Sequence, residues 1–374
     1  MAPKRAPQPR VPSLREVDSQ SRAVKRAARK PVEIRSTTGT LTKLESYAVS
    51  DRTENDYQQR VARFLQWCLM MGLSWACTGG LDLSLTLFMN AEFEDGADGE
   101  EGSKLLAGVK HYLQELTPLS THLPRATRAL TGWKKLAPSK QGLPLPRAAL
   151  GAIMGAMMWE FVMHNMRGSQ MEMVIALYLS FICYLRPCEL ICLRRRHVVR
   201  PVAAAGTAYQ AWGLLLGDSL TGIPGKTGIF DESVLIDHDN WLHPHLLALS
   251  SAGEAHEPVW TFSRQQLTSA FSAKCEQLNL SPLKPRLYAL RHGGASDDLM
   301  TRRRAALDVQ KRGRWSCLSS LKRYGKETRI LTEIEKCPTA VITYGSGIID
   351  RLAESVSFPA LVPAPPPQPA GQST

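Results

Sequence analysis

The 374-residue chain contains no apolar run near the roughly 18 to 20 residues that cross a bilayer, so no membrane helix is expected. Its first residues are basic and Pro-rich, with no hydrophobic stretch behind them to act as a secretory signal. An intracellular protein is therefore expected, nuclear if the host is eukaryotic, with its eight cysteines as thiols. Cys183, Cys188 and Cys192 lie close together but form no CxxC pair, and read as small apolar residues on a buried helix rather than metal ligands. The PGKTG segment ends like a P-loop, but GxxxxGK[ST] would need Gly where Leu220 stands, and its lysine lies between two strands. No paired-carboxylate cluster suggests a catalytic metal. These absences argue against membrane proteins, secreted disulfide scaffolds, zinc modules and nucleotide hydrolysis, and no cofactor is expected.

Positive charge is what the chain has in excess. Lys plus Arg number 46 against 34 Asp plus Glu, a net charge of +12 and a pI of about 9.4, which predicts a polyanionic partner. Residues 1–44 carry eleven Lys/Arg and three acids without apolar periodicity, and read as a disordered basic arm. Its KRAARK cluster (25–30) could bind phosphates, serve nuclear import or simply be solvated. Residues 45–138 are patterned as helices, beginning with SDRTENDYQQRVARFLQWCLMMGL, and form a small all-helical domain. A linker is expected at 139–146, within the Pro/Gly/Lys stretch KLAPSKQGLPLPRAAL.

A second domain, 147–345, reads as helices over 147–164 and 169–194, two strands over 211–218 and 232–237, then helices at 264–279, 289–300, 303–312 and 316–334. The fold class is mainly α with a small β-hairpin or sheet (α+β). Residues 346–374 read as a Pro-rich disordered tail.

Besides the PGKTG turn, three stretches of this domain carry chemistry. In SFICYLRPCELICL, Arg186 interrupts an apolar run, and a buried guanidinium must meet a carboxylate or an anionic ligand. Glu189 is its candidate structural partner. In LYALRHGGASDDL, Arg291 again sits in an apolar frame, followed by His292 and two glycines that permit close helix approach. In RGRWSCLSSLKRYGK, a Trp and a Tyr nine positions apart sit within a basic helix. Residues 301–329 hold ten Lys/Arg and two acids, suited to phosphate contacts that position without specifying sequence. Lys311, Arg312, Arg314, Lys322 and Arg323 are the candidate nucleic-acid phosphate contacts.

Taken in order, these residues resemble the tyrosine recombinase (phage integrase) family. YLRPCEL is similar to its GLRxxEL box, which places Arg186 as the first arginine. Lys226 is similar to the lysine of its β2–β3 turn. Tyr288-Ala289-Leu290-Arg291-His292 is similar to its HxxRH box, with Arg291 as the second arginine and Tyr288 replacing the usual His or Lys. Trp315 occupies its His/Trp position and Tyr324 that of the nucleophile. The resemblance covers about 145–335 and extends weakly to the first domain, which is similar to a core-binding domain that closes a clamp on duplex DNA.

The resemblance implies metal- and ATP-independent cleavage and rejoining of DNA through a 3′-phosphotyrosine, in a homotetramer on two DNA sites. Two guanidinium forks suit the charge gathering on non-bridging phosphate oxygens. The same positive field favours ionisation of the Tyr324 hydroxyl. Lys226 is expected as the general acid for the 5′ oxygen. Tyr288 can donate a hydrogen bond but is a poor base near neutrality. The alternative is a catalytically inactive DNA-binding protein derived from a mobile element.

Overall fold

The computed structural model describes residues 48–117, 123–137, 142–164, 169–206, 209–217, 232–236, 239–318, 321, 324 and 327–367. The basic arm, Lys226, Lys322 and Arg323 lie outside them. The chain divides into two compact units at residues 141 and 142.

The first unit is helical. Its described α-helices are α1 (Asp51–Met71), α2 (Thr78–Glu94), α3 (Gly99–Tyr112) and α4 (Pro124–Leu136). Ser50 caps α1 through Thr53 N–H, and Gly72 ends it with a left-handed φ of 65°. The apolar positions spaced through these helices meet in one core, built on Phe64, Leu81, Leu85, Phe88, Val109 and Trp133. Asp82 is buried because it has a task there: its carboxylate accepts from the Arg125 and Ala126 amides (3.0 and 2.8 Å), capping α4.

The second unit contains α5 (Arg147–Met163), α6 (Gln170–Ile182), the short α7 (Pro187–Ile191), α8 (His243–Ser251), α9 (Arg264–Gln277), α10 (Leu287–Met300), α11 (Ala306–Gly313), α12 (Glu327–Ile334), α13 (Thr339–Asp350) and α14 (Leu352–Ser357). A three-stranded antiparallel sheet joins β1 (Val198–Val199), β2 (Trp212–Leu216) and β3 (Glu232–Ile236) in that order. Trp212 pairs with Ile236 and Leu214 with Val234. These four side chains are buried, and the exposed Ser233 and Leu235 alternate with them in the two-residue period of a strand. None of the described helices is long and apolar enough to cross a membrane.

The mainly α architecture with a small sheet agrees with the sequence reading, and several boundaries move. The helix expected over 169–194 ends at Ile182; Tyr184 takes a left-handed φ of 48° and Pro187 starts α7. RGRWSCLSSLKRYGK is not one basic helix: α11 stops at Gly313, Arg314 caps it at φ 55°, and no described residue from 314 to 324 is α-helical. Cys183 is buried, but Cys188 and Cys192 are exposed, because the break puts them on the short α7 segment instead of a buried helix.

The second unit begins at 142, before the expected 147: Leu143 and Leu145 are buried and the Leu145 amide donates to the Ala289 carbonyl (3.1 Å). At the other end, residues 346–362 are packed, in place of the expected disordered tail. Ile348, Leu352 and Val356 recur every four residues on a buried face, and Val362 is also buried. Pro-rich composition beyond them hides this periodicity.

Two helices approach closely where α10 passes α6. A Cβ on Gly294 would run into the Phe181 carbonyl and press within 3.0 Å of the Tyr184 ring. Replacing an uncrowded helical glycine by alanine gains about 1 kcal/mol. Here Gly294→Ala is expected to lose about 2–3 kcal/mol through overpacking, read as a lower melting temperature by circular dichroism.

Candidate active site

The helix break at 183–186 builds the site. Leaving α6, the chain turns at Tyr184 and sets Arg186 at the N-terminus of α7. The Arg186 amide donates to Glu189 Oε2 (2.7 Å), and its guanidinium pairs with Oε1 of the same carboxylate. The i,i+3 partner expected from the sequence is therefore present, but it is shared. Arg314 Nη2 donates to Glu189 Oε2 at 2.6 Å, and Arg291 Nη1 lies 3.9 Å from that oxygen.

Three guanidiniums thus face one carboxylate. Glu232, whose Oε2 lies 3.9 Å from Arg314 Nε, still leaves the cluster with one excess positive charge among the described residues. The side chains of Arg291 and Arg314 are 0% and 4% exposed, so the cluster is screened little by solvent. Burial, then the charges of Arg314 and Arg186, push the Arg291 guanidinium down to about 10, which leaves it charged at neutral pH. Burial likewise pulls Arg314 below the ordinary arginine range. Arg291 also donates to the Tyr184 and Gly313 carbonyls. The Nε–H groups of Arg291 and Arg314 donate to nothing among the described residues. Two buried donors and a surplus of positive charge suit an oxyanion.

Aromatic rings line the other side. The Arg291 guanidinium lies 5.0 Å from the Trp315 ring centroid, Trp315 is 4.6 Å from Tyr324, and Tyr324 is 4.9 Å from His292. Tyr288 follows, 4.9 Å from His292 and itself 44% exposed. Gly313 makes this possible, since a Cβ there would collide with the Trp315 ring. Ser296 on α10 fixes the Tyr324 backbone by donating to its carbonyl (2.9 Å), and Tyr324 packs with Tyr184, Ala295, Val309 and Leu321. Tyr324 is 4% exposed.

Arg186, Arg291, Trp315 and Tyr324 therefore come together, and Tyr288 joins through His292. Two of the expected DNA contacts are placed otherwise. Arg314 turns inward because its left-handed backbone reverses the chain after α11, and its guanidinium joins the cluster. Arg312 is spent on the Ile182 and Leu235 carbonyls (2.7 and 2.8 Å), tying α11 to α6 and β3. Lys311 is exposed.

Sequence reasoning missed the sharing of Glu189 and the parts of Arg314, His292 and Tyr184. Only the break implied by Pro187 hinted at the last of these. Beside the cluster lies a cleft of about 420 Å³, lined among others by Arg186, Arg264, Arg286, Thr268, Ser272 and Tyr288, with no carboxylate among the described residues of its wall. Among the described residues, Arg264 and Arg286 are exposed and have no ion pair. No group of three or more His, Cys, Asp and Glu among the described residues is arranged to hold a metal ion.

No protein-family model matches the chain, and no curated protein matches it. Among solved structures, it is similar to a XerH site-specific recombinase bound to a palindromic difH substrate in a post-cleavage complex. That match has 12% identity and a TM-score of 0.37, covering 80% of this chain and 100% of the other. It is also similar to XerH bound to difH in a pre-cleavage complex, with 13% identity, coverage of 76% and 96%, and a TM-score of 0.35. These likenesses are loose and assign no residue a role.

Proposed function

We propose that the second unit cleaves and rejoins DNA strands by transient covalent attachment to Tyr324. The observation that carries this reading is the buried cluster of Arg186, Arg291 and Arg314 around one carboxylate, with Trp315 linking it to the Tyr324 ring. The arginines hold the non-bridging oxygens of a phosphodiester and gain most as negative charge grows in the transition state. The Tyr324 oxygen forms a bond to phosphorus while the P–O5′ bond breaks, leaving a 3′-phosphotyrosine and a 5′ hydroxyl. His292, whose ring lies against Tyr324, takes the phenolic proton. Lys226, outside the described residues, returns a proton to the leaving 5′ oxygen. Trp315 packs the arginine and the tyrosine into one unit. Tyr288 supports the site through His292 in place of the usual His or Lys.

The reaction conserves the phosphodiester energy in the enzyme–DNA bond, so rejoining is attack by a 5′ hydroxyl on the phosphotyrosine. In this reading the chain works as a homo-oligomer on duplex DNA. The test is a duplex nicked so that the cut end diffuses away, scored for a covalent protein–DNA species on a denaturing gel.

The cleft beside the cluster supplies further backbone contacts in the same reading. The double variant Arg264→Gln, Arg286→Gln is expected to bind duplex DNA more weakly, with its log K against log salt slope shallower by about 1.8, since each phosphate contact contributes about 0.9. Fluorescence anisotropy across a salt series measures this. An unchanged slope would remove the cleft from the DNA path.

A further inference from the structure

Tyr184 is a large aromatic residue held at φ 48° and 0% exposed, at a bend that glycine would adopt without strain. It begins YLRPCEL where the similar pattern GLRxxEL begins with glycine. Such a conformation persists only where the surroundings over-determine it. Here three contacts do so. The Tyr184 hydroxyl donates to Asp298, whose carboxylate also accepts from Arg304 Nε at 2.9 Å. Its ring stacks on Trp315, with centroids 6.2 Å apart and planes 22° apart. Its carbonyl accepts from Arg291 Nη1 and from Arg314 Nη2 (3.2 Å). One residue thus touches two of the three clustered guanidiniums and the ring that backs Tyr324.

We propose that Tyr184 is a positioning residue: its side chain, clamped between Asp298 and Trp315, fixes the direction of the carbonyl that aims Arg291 and Arg314 at the bound oxyanion. The proposal rests on the DNA-cleavage reading for its consequence in rate, and on the geometry alone for its consequence in anion binding. Glycine at 184 keeps the backbone bend and frees the peptide to turn. Phenylalanine keeps the bend and the stack and loses only the anchor to Asp298. Burial and the Asp298 carboxylate push the Tyr184 phenol far above its ordinary range, so the hydroxyl remains a donor at any working pH.

The full chain and its Tyr184→Gly, Tyr184→Phe and Asp298→Asn variants are titrated with vanadate, a mimic of the pentacoordinate phosphorus, and assayed on the nicked duplex. Tyr184→Gly is expected to bind vanadate about tenfold more weakly through mis-aimed charge-assisted donors. Its covalent attachment is expected to slow about 100-fold, the cost of a small misplacement. Tyr184→Phe, which loses the hydrogen bond to Asp298 and keeps the ring, and Asp298→Asn, which keeps an acceptor but removes its charge, are expected to weaken vanadate binding only about threefold. Phenylglyoxal labelling, read by mass spectrometry, is expected to rise at Arg291 and Arg314 in the glycine variant and to stay constant at Arg147, which pairs with Asp297 instead (2.8 Å).

Wild-type vanadate affinity in the glycine variant overturns the proposal. So does labelling that rises equally at Arg147, which reports general loosening. Should the glycine variant not fold, unchanged vanadate affinity in both Tyr184→Phe and Asp298→Asn overturns it equally. If wild type forms no adduct while vanadate binding follows the expected order, the positioning role stands and the DNA-cleavage reading falls.

Discussion

Tyr324→Phe is expected to abolish covalent attachment to a nicked duplex, by at least about 10⁴-fold, as removal of a nucleophile does. Only the hydroxyl is lost. The ring contacts with Trp315 and His292 are retained, as is the backbone bond from Ser296. Duplex affinity and melting temperature are therefore expected to stay close to wild type. That combination separates chemistry from folding and from phosphate binding. A denaturing gel of protein crosslinked to labelled DNA provides the first measurement, and an anisotropy titration of the same duplex the second. If wild type yields no more adduct than the phenylalanine variant on any substrate, the arginine cluster serves binding alone. The inactive DNA-binding alternative would then be the better account. Its affinity would still fall steeply with salt, because phosphate contacts release counterions whether or not a bond is cut.

The second large effect lies at Glu189. Glu189→Gln leaves Arg186, Arg291 and Arg314 facing one another with, among the described residues, only the more distant Glu232 to offset them. Removing one partner of a buried ion pair costs about 3–5 kcal/mol, because the remaining charge stays desolvated. For a unit of this size that corresponds to a fall of roughly 6–20 °C in melting temperature. The amide retains most of the shape of the carboxylate, so the loss reads charge rather than packing. An oxyanion occupying the cluster is expected to reverse it: phosphate at one hundred times its dissociation constant restores about 2.7 kcal/mol. Differential scanning calorimetry of the variant, with and without phosphate, checks both parts. A melting temperature that neither falls in the variant nor rises with phosphate would show that the three arginines do not behave as one anion site.

Much of the site was legible in the sequence because chemistry at each position is local. An arginine in an apolar frame has to meet a counter-charge, and the i,i+3 spacing already proposed Glu189 for Arg186. The order of Arg186, Arg291, Trp315 and Tyr324 marked residues that the fold does bring together. The helical texture of both units, the two longer strands and the glycines of LYALRHGGASDDL were likewise readable, since hydrophobic period and lack of a Cβ are properties of the chain itself. The short β1 and the packed 346–362 segment were not, as two residues carry no period and prolines obscured the repeat of Ile348, Leu352 and Val356.

What the sequence determined by itself, then, is which residue types are available to the proposed phosphate site, and that they sit on a positively charged, mainly helical chain. The tertiary structure decided how they are shared. A left-handed turn at Arg314 converts a presumed surface contact into the third guanidinium of a buried cluster. A strained Tyr184 ties that cluster to Trp315. Neither follows from composition or periodicity, because positive φ in a residue other than glycine is imposed by long-range contacts, and those exist only once α6, α10 and α11 are packed together.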